Sequence, residues 1–180
     1  TVDFAALLER VDAIPGIQRI RFASPHPRHT GERLIAAVRD LPHVRKHLHL
    51  PVQSGSTAVL AAMRRRHTRD DYLRLAERVR HNIPDVQLST DVIVGFPGET
   101  PRDFEDTLSL AREVRFSNVF SFKYSTRPDT LAARRLQDDV PEAEKTLRIV
   151  TLQEQQREIQ QGLHSALLGT RVEVLIDSLS

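Results

Sequence analysis

The chain has 180 residues, a formal net charge of +2, and 39% hydrophobic and 28% charged residues, which is typical of one soluble domain with a hydrophobic core. It contains no cysteine, so disulfides, thiolate catalysis and cysteine-held clusters are excluded within this segment. We find neither an apolar run near the roughly 18 residues of a membrane span nor an N-terminal leader, and we expect a cytoplasmic protein without a membrane partner. The first residue is Thr1 rather than methionine, which suggests a piece of a longer protein.

Helices and strands alternate along most of the chain. Apolar spacing predicts helices over residues 3–13 and from Thr30, a short helix around Leu60, and further helices from Thr68 and Thr100. Strands are predicted at residues 17–22, 47–52, 86–94 and 118–124. This alternation requires a parallel sheet with right-handed crossovers. Four such units make half of a closed eight-stranded barrel or one open sheet.

Residues 89–100, STDVIVGFPGET, form the most informative stretch. The run at 92–94 predicts a strand buried on both faces, and Gly95, Pro97 and Gly98 end it in a loop. Thr100 is suited to cap the next helix, with Pro101 at its first position and Asp103 three residues beyond the cap, and Thr68 with Asp71 resembles a capping box in the same way. Such a loop lies at the carboxyl edge of a parallel sheet, where ligands bind. A connector whose glycines only make a turn is equally consistent with the spacing.

The strand at 47–52 carries polar residues on one face and at its carboxyl end. His47 and His49 share a face and are spaced to chelate a metal, although hydrogen-bonded histidines are commoner, and we assign no metal site in this segment. The residues that follow, 53–56, offer amide, hydroxyl and backbone groups to a ribose or carboxylate, or form a helix-capping turn.

Two further features are the basic run at 64–67 and the C-terminal region. Arg64, Arg65 and Arg66 are suited to meet a phosphate backbone, although charge runs are more often solvated faces. A long polar helix follows Pro141, and residues 171–177 alternate as the first strand of an antiparallel element.

Several long motifs in this order resemble the radical S-adenosylmethionine tRNA methylthiotransferases. The motifs are RIRFASPHP (19–27), HLHLPVQSGS (47–56), STDVIVGFPGET (89–100), FSFKYSTRPDTLAA (120–133) and LLGTRVEVLID (167–177). They cover essentially the whole chain. The resemblance is strongest to the members that add a methylthio group to isopentenyladenosine beside the anticodon.

The resemblance implies an α/β fold, the later part of an incomplete parallel (βα) barrel. It implies that residues 1–136 belong to the barrel, that 137–168 form its helical extension, and that 169–180 begin a small β-barrel RNA-binding module of the TRAM type. The implied partners are the tRNA anticodon stem-loop and an electron donor such as flavodoxin or ferredoxin.

The implied cofactors are S-adenosylmethionine and [4Fe-4S] clusters, which supply the radical chemistry. The cysteines that hold these clusters in the family are absent, so we expect this segment alone to be inactive. By position, the expected contacts to S-adenosylmethionine are Ser24, Gln53, Ser54, Asp91, Gly95, Phe96, Pro97 and Arg127. Arg64, Arg65 and Arg66 are the expected RNA contacts.

Three alternatives remain open from the sequence. The substrate nucleoside is threonylcarbamoyladenosine in a sister group of enzymes. A degenerate relative would bind RNA without chemistry. An unrelated barrel enzyme would act on a phosphorylated small molecule held by the glycine loop.

Overall fold

The computed structural model describes residues 3–23, 25–128, 130, 134–172 and 174–175. Its helices are α1 (Phe4–Asp12), α2 (Glu32–Asp40), α3 (Thr57–Ala62), α4 (Arg69–Asn82), α5 (Pro101–Val114) and α6 (Glu142–Ser165). Its strands are β1 (His47–His49), β2 (Gln87–Val94) and β3 (Asn118–Lys123), and a 3-10 turn spans Pro27–His29. No helix of these residues is long and apolar enough to cross a membrane.

The three strands form one parallel sheet in the order β1-β2-β3. Helices connect them, with α3 and α4 between β1 and β2 and α5 between β2 and β3. All three carboxyl ends therefore lie at the same edge of the sheet, as in the predicted βα alternation.

The predicted strand at 17–22 is wrong as a regular strand. In the part of the chain that the structure describes, it is reduced to one parallel bridge between Ile20 and Val44. The Ile20 N–H donates to the carbonyl of His43, and the Arg45 N–H donates to the carbonyl of Ile20. This segment therefore runs beside the approach to β1, in the order expected of a barrel, without a continuous ladder.

Strand β1 is also shorter than the predicted 47–52. Pro51 has no N–H to give to a ladder, and the Thr90 hydroxyl takes part instead, bonding to the Val52 N–H and the Leu50 carbonyl. Pairing resumes at Gln53, opposite Val92, with one extra residue on the β1 side. Gln53 has a φ of 77°, so the chain turns sharply there.

The two faces of β2 differ. Leu88, Thr90, Val92 and Val94 are buried toward the helices, whereas Asp91 and Ile93 on the other face are only half-buried. Phe120 and Phe122 of β3 lie on that second face, and both are about half exposed. The expectation that β2 is buried on both faces is therefore wrong for this chain. The second face, which we call the inner face, is buried at Ser89 and partly open at Asp91 and Ile93.

The core lies between the sheet and helices α1, α2, α4 and α5, with α6 closing it beside β3. Its largest fully buried side chains include Tyr72 and Phe116, whose rings are 6.2 Å apart. The Tyr72 hydroxyl donates to the carbonyl of Leu50, so its polar end is satisfied inside the core.

Helices α4 and α5 begin with the caps that the sequence predicts. Thr68 accepts from the Asp71 N–H while the Asp71 carboxylate accepts from the Thr68 N–H, and Thr100 and Asp103 repeat this arrangement. Pro101 occupies the first turn of α5. The glycine loop at 95–99 therefore leads directly into a firmly capped helix.

Helix α6 packs largely through polar groups, which explains its few apolar residues. Gln156 donates to the carbonyl of Phe116, Gln160 to that of Ser117, and Gln155 to that of Leu108. The predicted strand at 171–177 is not observed in residues 171, 172, 174 and 175, which belong to neither a helix nor a strand. Residues 173 and 176–177 lie outside the described residues.

Candidate functional site

A cavity of about 400 Å³ lies at the carboxyl edge of the sheet. Each strand contributes near its end: Gln53 follows β1, Asp91 and Ile93 belong to β2, and Phe122 and Lys123 close β3. The remaining lining residues are Arg65, Phe96, Tyr124, Ser125, Arg127 and Thr130. This edge is where parallel α/β folds bind ligands, because the loops that follow the strands converge there.

Aromatic side chains form one wall of the cavity. The rings of Phe96 and Tyr124 meet edge to face, with centroids 5.2 Å apart. Phe122 adds a half-exposed ring on the inner face, and Ile93 lies among the same lining residues. A flat heterocycle fits against such a wall through stacking or edge contacts.

The polar side of the cavity combines one carboxylate with several cations. Burial lowers the pKa of Arg65, and the charge of Asp91 partly offsets this effect. Arg127 also lines the cavity, as does Lys123, whose ammonium is paired with Glu142 of α6 at 2.6 Å, so Arg65 and Arg127 are the cations that face the one carboxylate. Because its cations outnumber its carboxylates, the site favours a ligand that carries negative charge together with hydrogen-bonding groups.

Asp91 is also the end of a hydrogen-bonded chain along the inner face. Its carboxylate lies 3.2 Å from Nε2 of His49, whose Nδ1 is 2.9 Å from the Ser89 hydroxyl. The same hydroxyl lies 3.1 Å from Nε2 of His47. Burial lowers the pKa of His47, and the nearby charges of Arg21 and His49 lower it further. His47 and His49 therefore both lie within hydrogen-bond distance of the Ser89 hydroxyl. This is the hydrogen-bonded alternative that the sequence analysis gave for the two histidines.

A buried ion pair connects the glycine loop to α6. Arg148 Nη1 lies 2.6 Å from Glu99 Oε2, and these side chains are 4% and 1% exposed. The same carboxylate oxygen accepts from the Gly95 N–H at 2.6 Å. Burial raises the pKa of Glu99, whereas the Gly95 N–H and Arg148 act in the opposite direction. Helix α6 thereby fixes the loop that carries Phe96.

Lys145 makes a second attachment between α6 and the loop. A Cβ on Gly95 would overlap with the Lys145 side chain, so the glycine allows the two elements to meet. The Lys145 ammonium pairs with Asp138 at 2.6 Å and lies 5.5 Å from the Tyr124 ring. The aliphatic part of Lys145 therefore packs under Gly95 while its charge is neutralised nearby.

Four of the predicted cofactor residues meet at the cavity, namely Gln53, Asp91, Phe96 and Arg127. Ser54, Gly95 and Pro97 are not among the residues that line it. Ser54 is fully buried, and its hydroxyl bonds to Thr107 and to the Ser56 N–H. Ser24 lies outside the described residues.

The structure divides the predicted arginine cluster. Arg64 and Arg66 are exposed, while Arg65 is half-buried and lines the cavity beside Asp91. The positive φ of 58° at Arg64 turns the chain at this point. Arg64 and Arg65 together line a second cavity of about 400 Å³, so the three arginines differ in exposure while two of them share one surface.

Sequence reasoning missed Tyr124 and Lys123 of the cavity, and the roles of Glu99, Lys145 and Arg148 behind it. Tyr124 and Lys123 had a usable signal, because they follow the last predicted strand at its carboxyl end. Arg148 had none, since one arginine in a polar helix does not differ from its exposed neighbours by pattern.

Comparison with known families agrees with this geometry. The sequence profile of the radical SAM superfamily matches residues 2–111. The chain therefore belongs to the radical SAM superfamily, as its motifs predicted. The solved structure of coproporphyrinogen III oxidase (HemN) from Escherichia coli, described as a radical SAM enzyme, has a TM-score of 0.59 and 24% identity. It covers 77% of this chain and 31% of that chain, and it confirms the fold.

Several relatives named tRNA-2-methylthio-N(6)-dimethylallyladenosine synthase match nearly all of the chain. The protein from Acetivibrio thermocellus is 48% identical over 98% of this chain, and that from Caldicellulosiruptor saccharolyticus is 48% identical over 99%. The protein from Sorangium cellulosum is 50% identical over 97%. The chain spans only 37%, 38% and 35% of these relatives, respectively.

Proposed function

We propose that this chain is part of a radical SAM methylthiotransferase that modifies isopentenyladenosine, also called dimethylallyladenosine, in tRNA. The observation that carries the proposal is an identity of 48–50% to relatives with that printed name over almost the entire chain. The cavity supports it, because an aromatic wall beside cations and one carboxylate suits a charged nucleoside.

The residues present fit S-adenosylmethionine. Phe96 and Tyr124 would border its adenine. The Gln53 amide would donate to or accept from its polar groups, and the Asp91 carboxylate would accept hydrogen bonds from them. Arg65 and Arg127 would face its carboxylate, for which the planar guanidinium is suited. When bound, this cofactor supplies the radical chemistry, and the chain's own residues orient it and shield it from water.

The chain does not fit an iron–sulfur cluster by itself. It has no cysteine, and its described residues contain no group of three or more histidine, aspartate or glutamate side chains arranged to hold a metal. In the proposed enzyme, cluster binding therefore falls to protein outside this segment. We further propose the boundaries 1–136 for the barrel part and 137–168 for its helical extension, with a TRAM-type module beginning at 169.

The proposal is tested by transplanting this chain into the Acetivibrio thermocellus relative in place of its matching segment. The reconstituted chimera, checked for folding by circular dichroism and for iron content, is incubated with isopentenylated tRNA. The tRNA is then digested and analysed by mass spectrometry, and we expect a nucleoside with the mass of the methylthio product. A folded, iron-loaded chimera that modifies only tRNA carrying threonylcarbamoyladenosine would assign the other substrate, and no product with either would refute the proposal.

Two variants of the chimera examine the cavity. We expect Gln53→Ala to weaken binding of S-adenosylmethionine by about tenfold, since it removes one or two polar contacts, and to leave the iron content intact. Gln87→Ala is the matched control, because Gln87 is exposed at the opposite end of β2. Equal affinity in both variants would remove Gln53 from the site.

A further inference from the structure

Two loops that are distant in the sequence bring their histidines together beside the cavity. His26 and His29 belong to the turn before α2, and His67 belongs to the loop between α3 and α4. The ring centroid of His26 lies 5.5 Å from that of His29 and 6.0 Å from that of His67. With the exposed Arg28 and Arg66 from the same two loops, these residues form a surface that we call the basic rim.

The basic rim carries an excess of positive charge, and the one carboxylate of the described chain that acts on its histidines is Asp71, beside His67. Burial is the largest cause that lowers the pKa of His26, and the other causes are His29, Arg65, Arg28 and Arg66. Every charged group that acts on His26 is therefore cationic or becomes so on protonation. Among the described residues, neither Arg28 nor Arg66 forms a salt bridge, in contrast to the many paired arginines elsewhere. An arrangement of this kind attracts an anion.

His67 gives an independent sign of a missing partner. Its side chain is buried, at 9% residue exposure, and neither ring nitrogen has a hydrogen-bond partner among the described residues. Burial lowers the pKa of His67, whereas the nearby Val52 backbone acts in the opposite direction. Because buried polar groups are normally satisfied, we expect a ligand or an ordered water to complete this site.

The chemistry of the basic rim favours phosphate over a metal ion. The surrounding arginines repel a cation, and guanidinium groups bind phosphate oxygens through two parallel hydrogen bonds. Arg65 links the rim to the cavity, since it lines the cavity and acts on His26 electrostatically. A phosphate held at the rim would consequently lie next to a nucleoside in the cavity.

We propose that the basic rim, formed by His26, Arg28, His29, Arg66 and His67, binds the phosphate backbone of the RNA substrate. This inference rests on the proposed function, which makes the partner an RNA. It takes Arg66 from the predicted cluster at 64–66 and combines it with residues of a second loop. Arg65 then faces the ligand in the cavity, whereas Arg28 and Arg66 of the basic rim contact phosphates.

The test titrates the 180-residue chain with a labelled RNA stem-loop that has an anticodon-type loop, by fluorescence anisotropy over a series of salt concentrations. Each phosphate contact contributes a slope of about 0.7 to 0.9 to the fall of log affinity with log salt. We expect Arg28→Gln and Arg66→Gln each to reduce the slope by about that amount, and the double variant by about twice as much. Between about 50 and about 200 mM salt, each single variant should lose about threefold less affinity than the unaltered chain.

Arg10→Gln is the matched control, since Arg10 is an exposed arginine in the last turn of α1 and lies outside the basic rim. Its slope should equal that of the unaltered chain. Slopes that stay unchanged in both rim variants, or an unaltered chain that fails to bind the RNA at low salt, would overturn the proposal. Displacement of the RNA by an acidic peptide of equal charge at equal concentration would also overturn it and would assign an acidic protein partner instead.

This outcome is separable from the test of the proposed function. If the chimera makes the methylthio nucleoside but the rim variants do not change the salt dependence, the enzyme is correctly assigned and its RNA contacts lie elsewhere. If the rim variants change the slope but no product forms with either tRNA, the rim binds RNA and the proposed reaction is wrong.

Discussion

The glycine loop and the basic rim differ in whether their charged side chains are paired within the chain. Behind the glycine loop, Arg148 and Glu99 are paired and almost fully buried. At the basic rim, Arg28 and Arg66 are exposed beside three histidines and form no salt bridge within the described chain. Both regions involve arginine side chains, but only the arginine behind the glycine loop is neutralised by a carboxylate of this chain.

This difference separates charges that build the site from charges that remain available to a ligand. A buried pair such as Arg148 and Glu99 contributes little to overall stability, but removing one partner leaves an uncompensated charge in the interior. An exposed arginine contributes little to stability, so its replacement should change the free energy of unfolding only slightly. Substitutions on the two sides should therefore affect different measurements.

The largest expected effect follows from breaking the buried pair. Arg148→Met keeps most of the side-chain volume and leaves the Glu99 carboxylate without its guanidinium, so we expect a loss of about 3 kcal/mol or more in the free energy of unfolding. Urea unfolding followed by circular dichroism measures it. Arg157→Met is the control on the same helix. Because Arg157 is exposed, this variant should lose less than about 0.5 kcal/mol in the free energy of unfolding.

The double variant Glu99→Gln with Arg148→Met shows whether the loss comes from the unpaired charge. It should be more stable than Arg148→Met alone, because it no longer buries an ion. A double variant that is less stable than the single one would mean that Arg148 acts through its packing against Phe104, whose ring lies 5.7 Å away.

A smaller effect is expected in the loop between β1 and α3, which carries Gln53 of the cavity. A Cβ on Gly55 would overlap with the backbone of Asp106 and Thr107 in α5, and backbone does not move aside as a flexible side chain does. Gly55→Ala should therefore reduce the free energy of unfolding by about 1–3 kcal/mol, measured by urea unfolding.

Gly162→Ala is the opposite case in the same chain. Gly162 lies inside α6, and its added Cβ would meet only the end of the Arg115 side chain at 3.4 Å. Alanine in a helix interior is favoured over glycine, so this variant should gain about 0.5–1 kcal/mol. Equal effects at both positions would contradict the close approach of the Gly55 loop to α5.

Much of this architecture follows from local sequence rules. Thr68 and Thr100 cap their helices as the spacing of their partners Asp71 and Asp103 predicts, because a capping box depends on only four consecutive residues. The cavity at the carboxyl edge was also predictable, since parallel strands place their following loops together. Gln53, Asp91, Phe96 and Arg127 meet there for that reason.

The features that sequence reasoning missed depend on contacts between distant residues or on a backbone turn. Ser54 follows a strand as Gln53 does, but the positive φ at Gln53 directs the chain so that Ser54 bonds to Thr107 of α5. Gly95 is needed to admit Lys145, which lies fifty residues further along the chain. No local pattern encodes such a pairing, and a single sequence offers no other signal for it.

The smallest expected effect concerns pH and sharpens the contrast at the basic rim. Burial is the first cause that lowers the pKa of His26, His47 and His67 below 6.5 in the folded chain. In the unfolded chain these histidines return to their ordinary pKa, so the unfolded state binds more protons as the pH falls through 6.5. Acidification from about pH 7 to about pH 5.5 should therefore lower the free energy of unfolding, with the full stability present above pH 6.5.

Urea midpoints measured across that range give the slope, and the imidazole resonances in an NMR titration report each histidine separately. His26→Gln should make the slope shallower, because it removes one of the three groups that gain a proton on unfolding. RNA bound at the basic rim should raise the pKa of His26, since a phosphate offsets the surrounding cations. A His26 resonance that titrates identically with and without the RNA would show that no phosphate lies beside it.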